Sequence, residues 1–486
     1  MTKLKQPKMV WVAVVLYAAG SIPAQAQTYR RLVSFDGTNG SNPTIMSLTQ
    51  GEDGNLYGTT NHGSPVLEGT VFRIGTRGLE NLYSFCLQGL PCLDGSVPWA
   101  GMALAADGSF YGTTAQGGDP NCGSEGCGTV FNIDRQGTLT TLHTFEMSDG
   151  FLPEALILGA DGFFYGTASS GGANNKGTIF KMSSGGTVVV LHSFSGSDGA
   201  RPGSGLVQAA DGKFYGTTTY GGADPAGCDG YGCGTVFSIK SSGEFTTLYS
   251  FCSQPNCSDG AQPLSGLTQG ADGNLYGTTF GDPPDFGLGT IFRITPSGAL
   301  TTIYSFCVQP GCTDGEIPYA GLTLATDGNF YGTTQGGGTY GHGTAFSLTP
   351  GGTLTTLYSF CSQKKCFDGS EPYGGITQGT DGNLYGTTYT GGAAQYYGVI
   401  YRISVGLRPF VAFVRPYGKI GQISDILGQG FTGTTSVTLN GLPANFKVVS
   451  DTYLTATIPP GATTGYVTVT TPTGVLTSNV PFRVLP

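Results

Sequence analysis

The stretch Asp272-Gly273-Asn274-Leu275-Tyr276-Gly277-Thr278-Thr279 occurs, with small variations, seven times along the 486-residue chain. The tyrosines of the copies lie 50 to 61 residues apart, at Tyr57, Tyr111, Tyr165, Tyr215, Tyr276, Tyr331 and Tyr385. Two further motifs recur with it, Gly-Thr-Val/Ile-Phe-x-Ile and Thr-Thr-Leu-Tyr-Ser-Phe. Self-similarity at this period indicates a repeat architecture in which each copy is one supersecondary unit.

Each repeat divides into four segments of strand length. In the fifth copy these segments are residues 264–269, 275–279, 290–294 and 300–306. The Asp-Gly pair between the first two predicts a hairpin, because both residues tolerate positive φ. Four antiparallel strands in each of seven units predict an all-β fold with a seven-bladed β-propeller. A parallel β-helix is disfavoured because its rungs are much shorter than this period.

The two ends of the repeat region complement each other. The last copy, residues 373–403, lacks its fourth strand, and the segment Tyr29 to Phe35 is an unpaired copy of that strand. Pairing the two would complete the seventh blade and protect two sheet edges. We therefore expect a propeller over residues 28–406 that is closed by its N-terminal strand.

Residues 1–26 have the pattern of a signal peptide. Lys3, Lys5 and Lys8 precede an apolar run, and Ala24-Gln25-Ala26 is a small-residue cleavage site. An uncleaved membrane anchor is the alternative, but the run is short for a span of about 20 residues. The pattern predicts a secreted or cell-surface protein without a membrane span in the mature chain.

The net charge of the chain narrows the classes of molecule that are expected to bind it. The formal net charge of −9 becomes −12 when the three lysines of the signal peptide are removed. An acidic surface without a basic stripe argues against nucleic acid and anionic lipid as partners. We expect a monomer whose partner is a carbohydrate or a protein at the cell surface.

The twelve cysteines form six local pairs, all on the loop side of the repeats. The pairs are Cys86/Cys92, Cys122/Cys127, Cys228/Cys233, Cys252/Cys257, Cys307/Cys312 and Cys361/Cys366. Zinc sites favour Cys-x2-Cys spacing with further ligands nearby, which these isolated pairs lack. In an exported chain the pattern predicts six disulfides and no metal. Each bridge is expected to stiffen its own loop, by roughly 2 kcal/mol, and not to hold the blades together.

A second domain of about 78 residues is predicted at 409–486, where short strands alternate with Gly and Pro. Seven strands in fewer than 100 residues are typical of an immunoglobulin-like sandwich. The pattern Gly428-x-Gly430-Phe431, then Leu454 to Pro459 and Gly465 to Val469, resembles an IPT/TIG domain.

The repeat itself, Asp-Gly-Asn-Leu-Tyr-Gly-Thr-Thr followed by Gly-Thr-Val-Phe-Arg-Ile and Leu-Tyr-Ser-Phe, resembles the GloVer (gloeo/verruco) tandem repeat of exported bacterial proteins. The resemblance covers about residues 29–403 and implies a secreted or cell-surface protein. It implies no reaction, catalytic residue or cofactor.

Two series of aspartates recur with the repeat. The second series, Asp36, Asp94, Asp149, Asp198, Asp259, Asp314 and Asp368, could hold calcium or bond its own loop backbone. Sevenfold repetition favours the loop bonds. His143 and His192 occupy the place of a tyrosine in other repeats and are expected to be sheet residues.

Carboxylates and aromatic residues that depart from the repeat are the candidate site residues. Glu316 and Glu371 could act as a glycosidase pair, although solvated loop acids are the favoured interpretation. Exposed aromatic residues on a rigid platform suit sugar rings or a protein partner. The ligand-binding candidates are Trp99, Tyr220, Tyr319, Tyr340, Tyr373 and Tyr389, and packing between neighbouring blades is the alternative role for each.

The sequence therefore predicts a non-enzymatic binding module at the bacterial cell surface, with no cofactor. An extracellular carbohydrate-active enzyme and a structural surface spacer are the alternatives.

Overall fold

The computed structural model describes residues 27–43, 47–63, 68–123, 125–223, 227–281 and 288–485. The predicted signal peptide, residues 1–26, lies outside them. The described chain is all-β apart from α1 (Gly227–Gly230) and three short 3-10 turns, Pro255–Cys257, Pro310–Cys312 and Lys364–Cys366.

In the described residues the repeat region forms seven antiparallel sheets, five of four strands and two of five, numbered here sheet 1 to sheet 7 in chain order. The first element, β1 (Thr28–Ser34), belongs to sheet 7, and β2 (Ser41–Pro43) pairs with the second strand of sheet 1. Sheets 1 to 3 consist of β3 to β6 (Thr49–Gln50, Leu56–His62, Thr70–Gly75, Gly78–Ser84), β7 to β10 (Ala103–Leu104, Phe110–Thr114, Thr129–Ile133, Leu139–Thr144) and β12 to β15 (Ile157–Leu158, Phe164–Ser170, Thr178–Met182, Val188–Ser193), with β11 (Phe151–Pro153) added to sheet 3.

Sheets 4 to 7 have the same order of strands. They consist of β16 to β19 (Val207–Gln208, Phe214–Thr218, Thr235–Ile239, Phe245–Ser250), β20 to β23 (Thr268–Gln269, Leu275–Thr279, Thr290–Ile294, Leu300–Ser305), β24 to β27 (Thr323–Leu324, Phe330–Thr334, Thr344–Leu348, Leu354–Ser359) and β28 to β30 (Thr377–Gln378, Leu384–Thr388, Val399–Ser404). In sheet 7 the fourth strand is β1, antiparallel to β30 from Thr28↔Ser404 to Ser34↔Val399. The pairing expected between the two ends of the repeat region is therefore present.

The first half of the repeated motif holds each sheet together internally. In sheet 5 the hydroxyl of Tyr276 donates to Asp272 Oδ2 at 2.9 Å, which ties the second strand to the turn before it. A Cβ at Gly277 would lie 2.6 Å from the ring of Phe292 on the third strand. The motif needs glycine here because the phenylalanine ring occupies the space of a side chain.

The two threonines of the motif have different partners. Thr278 donates from Oγ1 to the carbonyl of Ala320 in the next sheet at 3.1 Å. The hydroxyl of Thr279 lies 2.8 Å from that of Thr290 on the neighbouring strand of its own sheet. One threonine therefore joins consecutive sheets, and the other joins two strands within a sheet.

A second sevenfold link comes from the residue before each inter-sheet proline. Each of these residues has a left-handed backbone with φ between 52° and 59°: Asn42, Val97, Leu152, Arg201, Gln262, Ile317 and Glu371. Arg201 N–H donates to the carbonyl of Lys176 in sheet 3 at 2.8 Å, and its own carbonyl accepts from Thr219 N–H at 3.0 Å. Asn42 makes the corresponding bond to the carbonyl of Tyr397, which joins sheet 1 to sheet 7.

A cavity of about 250 Å³ lies where the first strands converge. Its lining includes residues of all seven sheets, among them Thr49, Met102, Ile157, Leu206, Leu267, Leu322 and Gly375. The first strands therefore face a common centre.

The C-terminal domain contains ten strands, β31 to β40. They are Ala412–Phe413, Tyr417–Lys419, Ile423–Leu427, Ser436–Leu439, Leu442–Pro443, Phe446–Val448, Tyr453–Thr457, Val467–Thr471, Gly474–Thr477 and Arg483–Leu485. Two four-stranded sheets, β31-β33-β37-β36 and β35-β34-β38-β39, share one buried apolar cluster that includes Ile426, Leu454, Val437 and Val469. The sequence did not predict the strands β32, β35 and β39.

The C-terminal domain packs on the side of the repeat region that carries the Asp-Gly turns, called here the hairpin face. Thr452 Oγ1 donates to the carbonyl of Glu52 in sheet 1 at 2.7 Å, and Tyr417 donates to the carbonyl of Leu158 in sheet 3 at 2.8 Å. Arg483 Nη1 donates to two carbonyls of the turn in sheet 4. The opposite side, the loop face, carries the disulfides.

Candidate ligand-binding site

Two positions per sheet bring variable side chains to the centre of the loop face. One follows the inter-sheet proline, and the other follows the threonine motif at the end of the second strand. Together with Arg201 and Tyr220 they are called the mouth residues. They are Trp99, Glu154, Gly203, Leu264, Tyr319 and Tyr373 after the prolines of sheets 2 to 7, and Asn61, Ala115, Ser169, Thr219, Phe280, Gln335 and Tyr389 after the motif; the position after the proline of sheet 1 lies outside the described residues.

Aromatic rings line the part of the mouth formed by sheets 5 to 7. The centroids of Phe280 and Tyr319 are 6.2 Å apart, those of Tyr319 and Tyr373 are 4.9 Å apart, and those of Tyr373 and Tyr389 are 5.0 Å apart. All three pairs meet edge to face, and Gln335 donates a 2.5 Å hydrogen bond to the Tyr373 hydroxyl. All four rings keep part of their surface exposed. We call these four rings the aromatic arc.

Burial raises the pKa of two tyrosines in the arc. The pKa of Tyr373 is raised to about 12, chiefly by burial and then by the neighbouring charge of Glu371. Burial also raises the pKa of Tyr319, whereas the positive charge of Arg201 lowers it. Both hydroxyls therefore remain protonated at neutral pH and can donate hydrogen bonds.

A buried carboxyl group lies on the opposite part of the mouth. Glu154 is 8% exposed. Burial raises its pKa to about 8, although the charge of Arg201 and a hydrogen bond from Ser169 act in the other direction. Below that pH the group is mostly neutral and can donate a hydrogen bond. The sequence analysis did not select Glu154; its signal was an acid at a repeat position where other sheets have aromatic residues.

Arg201 is the exposed cation of the mouth. Its guanidinium carbon lies 5.7 Å from the centroid of the Tyr220 ring. Its charge also acts on Glu154 and Tyr319, which belong to different sheets. Arg201 therefore lies between the polar part of the mouth and the aromatic arc.

The structure brings together most of the predicted ligand-binding residues. Tyr319, Tyr373 and Tyr389 belong to the arc, and Tyr220 lies close enough to Tyr319 to influence its pKa. Trp99 occupies the corresponding position after its proline. Tyr340 is separate: it is 50% exposed in the loop after the second strand of sheet 6, near Tyr358 on the fourth strand.

The two candidate catalytic carboxylates, Glu316 and Glu371, lie in the segments that lead into sheets 6 and 7. The side chain of Glu316 packs against Gly336, so that a Cβ there would lie 2.9 Å from its Oε1. Glu371 lies near Tyr373. A catalytic role for these two carboxylates stays a prediction.

The second series of aspartates is bonded within its own loops. Tyr304 donates to Asp314 at 2.8 Å, and the N–H groups of Val308 and Gln309 also donate to this carboxylate. The equivalent pairs are Tyr83–Asp94, His143–Asp149, His192–Asp198, Tyr249–Asp259 and Tyr358–Asp368. Asp36 bonds Thr38 instead. These contacts match the loop-bonding interpretation, and His143 and His192 are sheet residues as expected.

All six predicted disulfides are present. They are Cys86–Cys92, Cys122–Cys127, Cys228–Cys233, Cys252–Cys257, Cys307–Cys312 and Cys361–Cys366. Together they use all twelve cysteines. The described groups of metal-ligand type all include such a bridge, for example Cys307, Cys312 and Glu316. Bridged sulfurs are not thiolates, so these groups offer few metal ligands.

Two of the bridged cysteines, Cys92 and Cys127, are interior residues. Cys92 is 6% exposed and Cys127 is fully buried. Cys127 belongs to an apolar cluster with Val130 of sheet 2 and Leu156 at the start of sheet 3. A half-cystine behaves as a small apolar side chain, so its burial adds to the packing between these sheets.

The backbone of these two cysteines also reaches beyond their loops. The carbonyl of Cys127 accepts from the N–H of Leu152 in sheet 3 at 3.3 Å. The carbonyl of Cys92, between sheets 1 and 2, accepts from the N–H of Gly118 in the loop after the second strand of sheet 2 at 2.8 Å. Other sheets make the same two bonds without a cysteine, as Gly172 N–H does to the carbonyl of Met147, so these bonds do not depend on the bridges. That the bridges stiffen only their own loops stays a prediction. Cys86, Cys228 and Cys233 are buried as well.

No helix among the described residues is long and apolar enough to cross a bilayer. A comparison with curated proteins found no match.

Solved structures with similar folds have little sequence identity to this chain. A streptogramin B lyase matches with a TM-score of 0.50 and 16% identity, over 78% of this chain and 97% of that one. The extracellular domain of BT4673 from B. thetaiotaomicron matches with a TM-score of 0.52 and 10% identity, over 92% and 46%. A fungal alcohol oxidase of the AA5 family, solved with copper, matches with a TM-score of 0.50 and 13% identity, over 94% and 99%. At these identities the likeness concerns the fold alone, which is propeller-like.

Family models cover both parts of the chain. The Gloeobacter/Verrucomicrobia repeat matches residues 19–228, 104–323 and 308–422, and the IPT/TIG domain matches residues 410–484. Both resemblances noted in the sequence are therefore confirmed. With its disulfides and repeated all-β sheets, this chain belongs to the Gloeobacter/Verrucomicrobia repeat family of extracellular-type proteins and carries a C-terminal IPT/TIG domain.

Proposed function

We propose that the chain is an exported, non-enzymatic binding module of the bacterial cell surface that recognises a carbohydrate or a protein through its mouth residues. Its scaffold is a closed seven-bladed β-propeller (residues 28–406) followed by an immunoglobulin-like domain (residues 409–486). The predicted signal peptide and the disulfides support export.

Three observations support closure of the ring. Thr377 donates to the carbonyl of Leu48 at 2.6 Å, which repeats between sheets 7 and 1 a bond also made by Thr49 to sheet 2. The second is the hydrogen bond from the N–H of Asn42 to the carbonyl of Tyr397, and the third is the central cavity, which the first strands share. These features are the same at the junction of sheets 7 and 1 as between the other neighbouring sheets.

The aromatic arc is the observation that carries the binding function. Four partly exposed rings lie on a frame held by hydrogen bonds between sheets, so little conformational entropy is lost when a ligand packs on them. Rings of this kind contact the C–H faces of sugars and the apolar side chains of proteins, while their hydroxyls supply polar contacts. The C-terminal domain covers the hairpin face, so access is from the loop face.

A glycan array with the oxidised mature protein tests this proposal. We expect a defined set of glycans to bind, and the double variant Trp99→Ala/Tyr373→Ala to lose at least tenfold in affinity for them. Tyr340→Ala is the matched control, because it removes an exposed tyrosine outside the mouth. A pull-down with envelope proteins, using the same three samples, covers the protein partner.

Three results would contradict the proposal. Equal signals from the wild type and the double variant would exclude the mouth as the site. An absence of both glycan and protein partners would favour the structural spacer. Release of products from a bound glycan, abolished by Glu316→Gln or Glu371→Gln, would favour the carbohydrate-active enzyme.

A further inference from the structure

Buried polar atoms without a partner concentrate at the mouth. Among the described residues, five buried side-chain N or O atoms have no hydrogen-bond partner. Three of them belong to mouth residues: Asn61 Oδ1, Trp99 Nε1 and Thr219 Oγ1. Thr219 is only 2% exposed. An unpaired buried polar group costs roughly 1–3 kcal/mol, so a ligand or water that reaches these atoms would recover that cost.

The contacts of Thr219 place its hydroxyl at the mouth. A Cβ added to Gly203, the mouth residue of the same sheet, would lie 2.8 Å from Thr219 Oγ1. A side chain at position 203 would therefore collide with this hydroxyl, so the two mouth residues of sheet 4 are in close contact. The N–H of Thr219 is held by the carbonyl of Arg201, so the hydroxyl and the guanidinium belong to bonded residues.

The polar part of the mouth offers mainly donors. Trp99 Nε1 can only donate, and the Arg201 guanidinium offers five N–H groups. The Thr219 hydroxyl and the neutral carboxyl of Glu154 can donate as well. Asn61 Oδ1 is the acceptor among the unpaired atoms. A set of this kind suits a ligand that is rich in acceptors.

The charge of the mouth indicates that its ligand is an anion. Arg201 is exposed and forms no ion pair with the residues that the structure describes. Glu154 is held mostly neutral below its raised pKa of about 8 and does not cancel this charge at neutral pH. The carboxylates that oppose an anion, Glu316 and Glu371, belong to sheets 6 and 7 on the aromatic side.

We propose that the mouth binds a saccharide that carries a carboxylate, with a sugar ring on the aromatic arc and the carboxylate on the guanidinium of Arg201. The inference rests on the proposed binding function and narrows its ligand to uronate-type sugars. A planar carboxylate matches the fork of a guanidinium, which can donate two parallel hydrogen bonds to it. Because the chain as a whole is negatively charged, it does not attract an anion over long distances. The preference for a carboxylate comes from the local position of Arg201.

Matched pairs of ligands test the proposal. Oligomers of galacturonate, mannuronate and glucuronate are titrated calorimetrically into the mature protein, each beside its methyl ester, which keeps the ring and removes the charge. We expect at least one acid to bind at least tenfold more tightly than its ester. Arg201→Gln should weaken binding of the acid much more than binding of the ester and so remove most of this preference.

Two more variants separate the roles of ring and charge. Tyr319→Ala should weaken both members of the pair, because both place a ring on the arc. Tyr340→Ala should change neither. Calorimetric unfolding of each variant checks that the fold is retained.

Each remaining outcome opposes the inference. Equal binding of acid and ester, or an acid preference that survives in Arg201→Gln, would overturn it and leave the broader binding function standing. Blank titrations with all three acids would also overturn it. The glycan array and the pull-down would then decide on the broader function independently.

Discussion

The interior of the sheets and the mouth are built from the same repeats, but they differ in how much the side chain at a given position varies from one repeat to the next. In the interior the same residue does the same task in successive sheets, as Tyr276 and Tyr331 do when each donates to the aspartate four residues earlier. At the mouth the corresponding positions hold Trp99, Glu154 and Tyr319. Repetition in the interior maintains the fold, and the departures from repetition form the candidate site.

The difference has a physical basis. An interior position is surrounded by neighbours that recur with it, such as the ring of Phe292 over Gly277, so a change in one copy requires a change in its partner. A mouth position is held by the backbone bonds of the left-handed residue before the proline, which do not depend on the side chain. Mouth side chains can therefore vary without disturbing the sheets.

Removal of the N-terminal strand should have the largest effect on the interior. Deletion of residues 28–36 would uncover the edge of β30 and take Phe35, which is fully buried, out of the core. We expect Tm to fall by more than about 10 °C, which corresponds to several kcal/mol for a domain of this size. An unchanged transition in differential scanning calorimetry would contradict both the closure and this prediction.

A single interior residue should cost more stability than a single mouth residue. Phe292→Ala would leave a cavity beneath the second strand of sheet 5 and should lower the free energy of unfolding by about 3–5 kcal/mol. Tyr319→Ala at the mouth should cost about 1 kcal/mol, since the ring is partly exposed. Urea unfolding measures both, and equal costs would remove the distinction between the two regions.

Sequence reasoning predicted the repeated part of the molecule well. The strands of sheet 5, the pairing of Tyr29 with the last repeat and the six disulfides all follow from patterns that recur. Three rings of the aromatic arc, Tyr319, Tyr373 and Tyr389, were among the predicted ligand-binding residues, because they depart from the repeat at known positions; the fourth, Phe280, was not selected.

Features without a recurring signal escaped prediction. The roles of Glu154, Arg201 and Thr219 depend on burial and on neighbours in other sheets, which spacing along the chain does not reveal. The burial of Cys92 and Cys127 escaped for the same reason, since spacing predicts which cysteines are bridged but not what packs around the bridge.

Docking of the C-terminal domain could not be predicted either. It uses backbone carbonyls such as those of Glu52 and Leu158. A carbonyl is the same whatever residue carries it, so the sequence holds no signal for these contacts.

The buried carboxyl of the mouth should make stability depend on pH. The folded pKa of Glu154, about 8, exceeds its ordinary value of 4.5, so the folded state binds the proton more tightly. Its contribution is fully present below pH 4.5 and is lost as the pH rises towards 8. Between pH 5 and 8 the loss should approach roughly 3 kcal/mol, at about 1.4 kcal/mol per unit.

Glu154→Gln tests this contribution because glutamine keeps the shape of the side chain and cannot ionise. The variant's advantage in free energy of unfolding over the wild type should grow steadily between pH 5 and 8. A difference that stays constant over this interval would show that the carboxyl does not titrate as described.

The smallest expected effect compares the two aspartate series. Tyr304→Phe removes a hydrogen bond from Asp314, which is fully buried, and should cost about 1.5–3 kcal/mol. Tyr276→Phe removes the equivalent bond from the exposed Asp272, where water can replace the hydroxyl, and should cost about 0.5 kcal/mol. Equal losses in thermal unfolding would contradict the difference in burial.

The position of the C-terminal domain has a mechanical consequence. The N–H of Phe410 donates to the carbonyl of Thr380 in sheet 7, while Thr452 donates to Glu52 in sheet 1. A force applied through this domain is therefore shared by the sheets that hold the last and the first repeats. Such a force loads several hydrogen bonds at once. A pull on β30 alone would instead break the hydrogen bonds of that strand one by one.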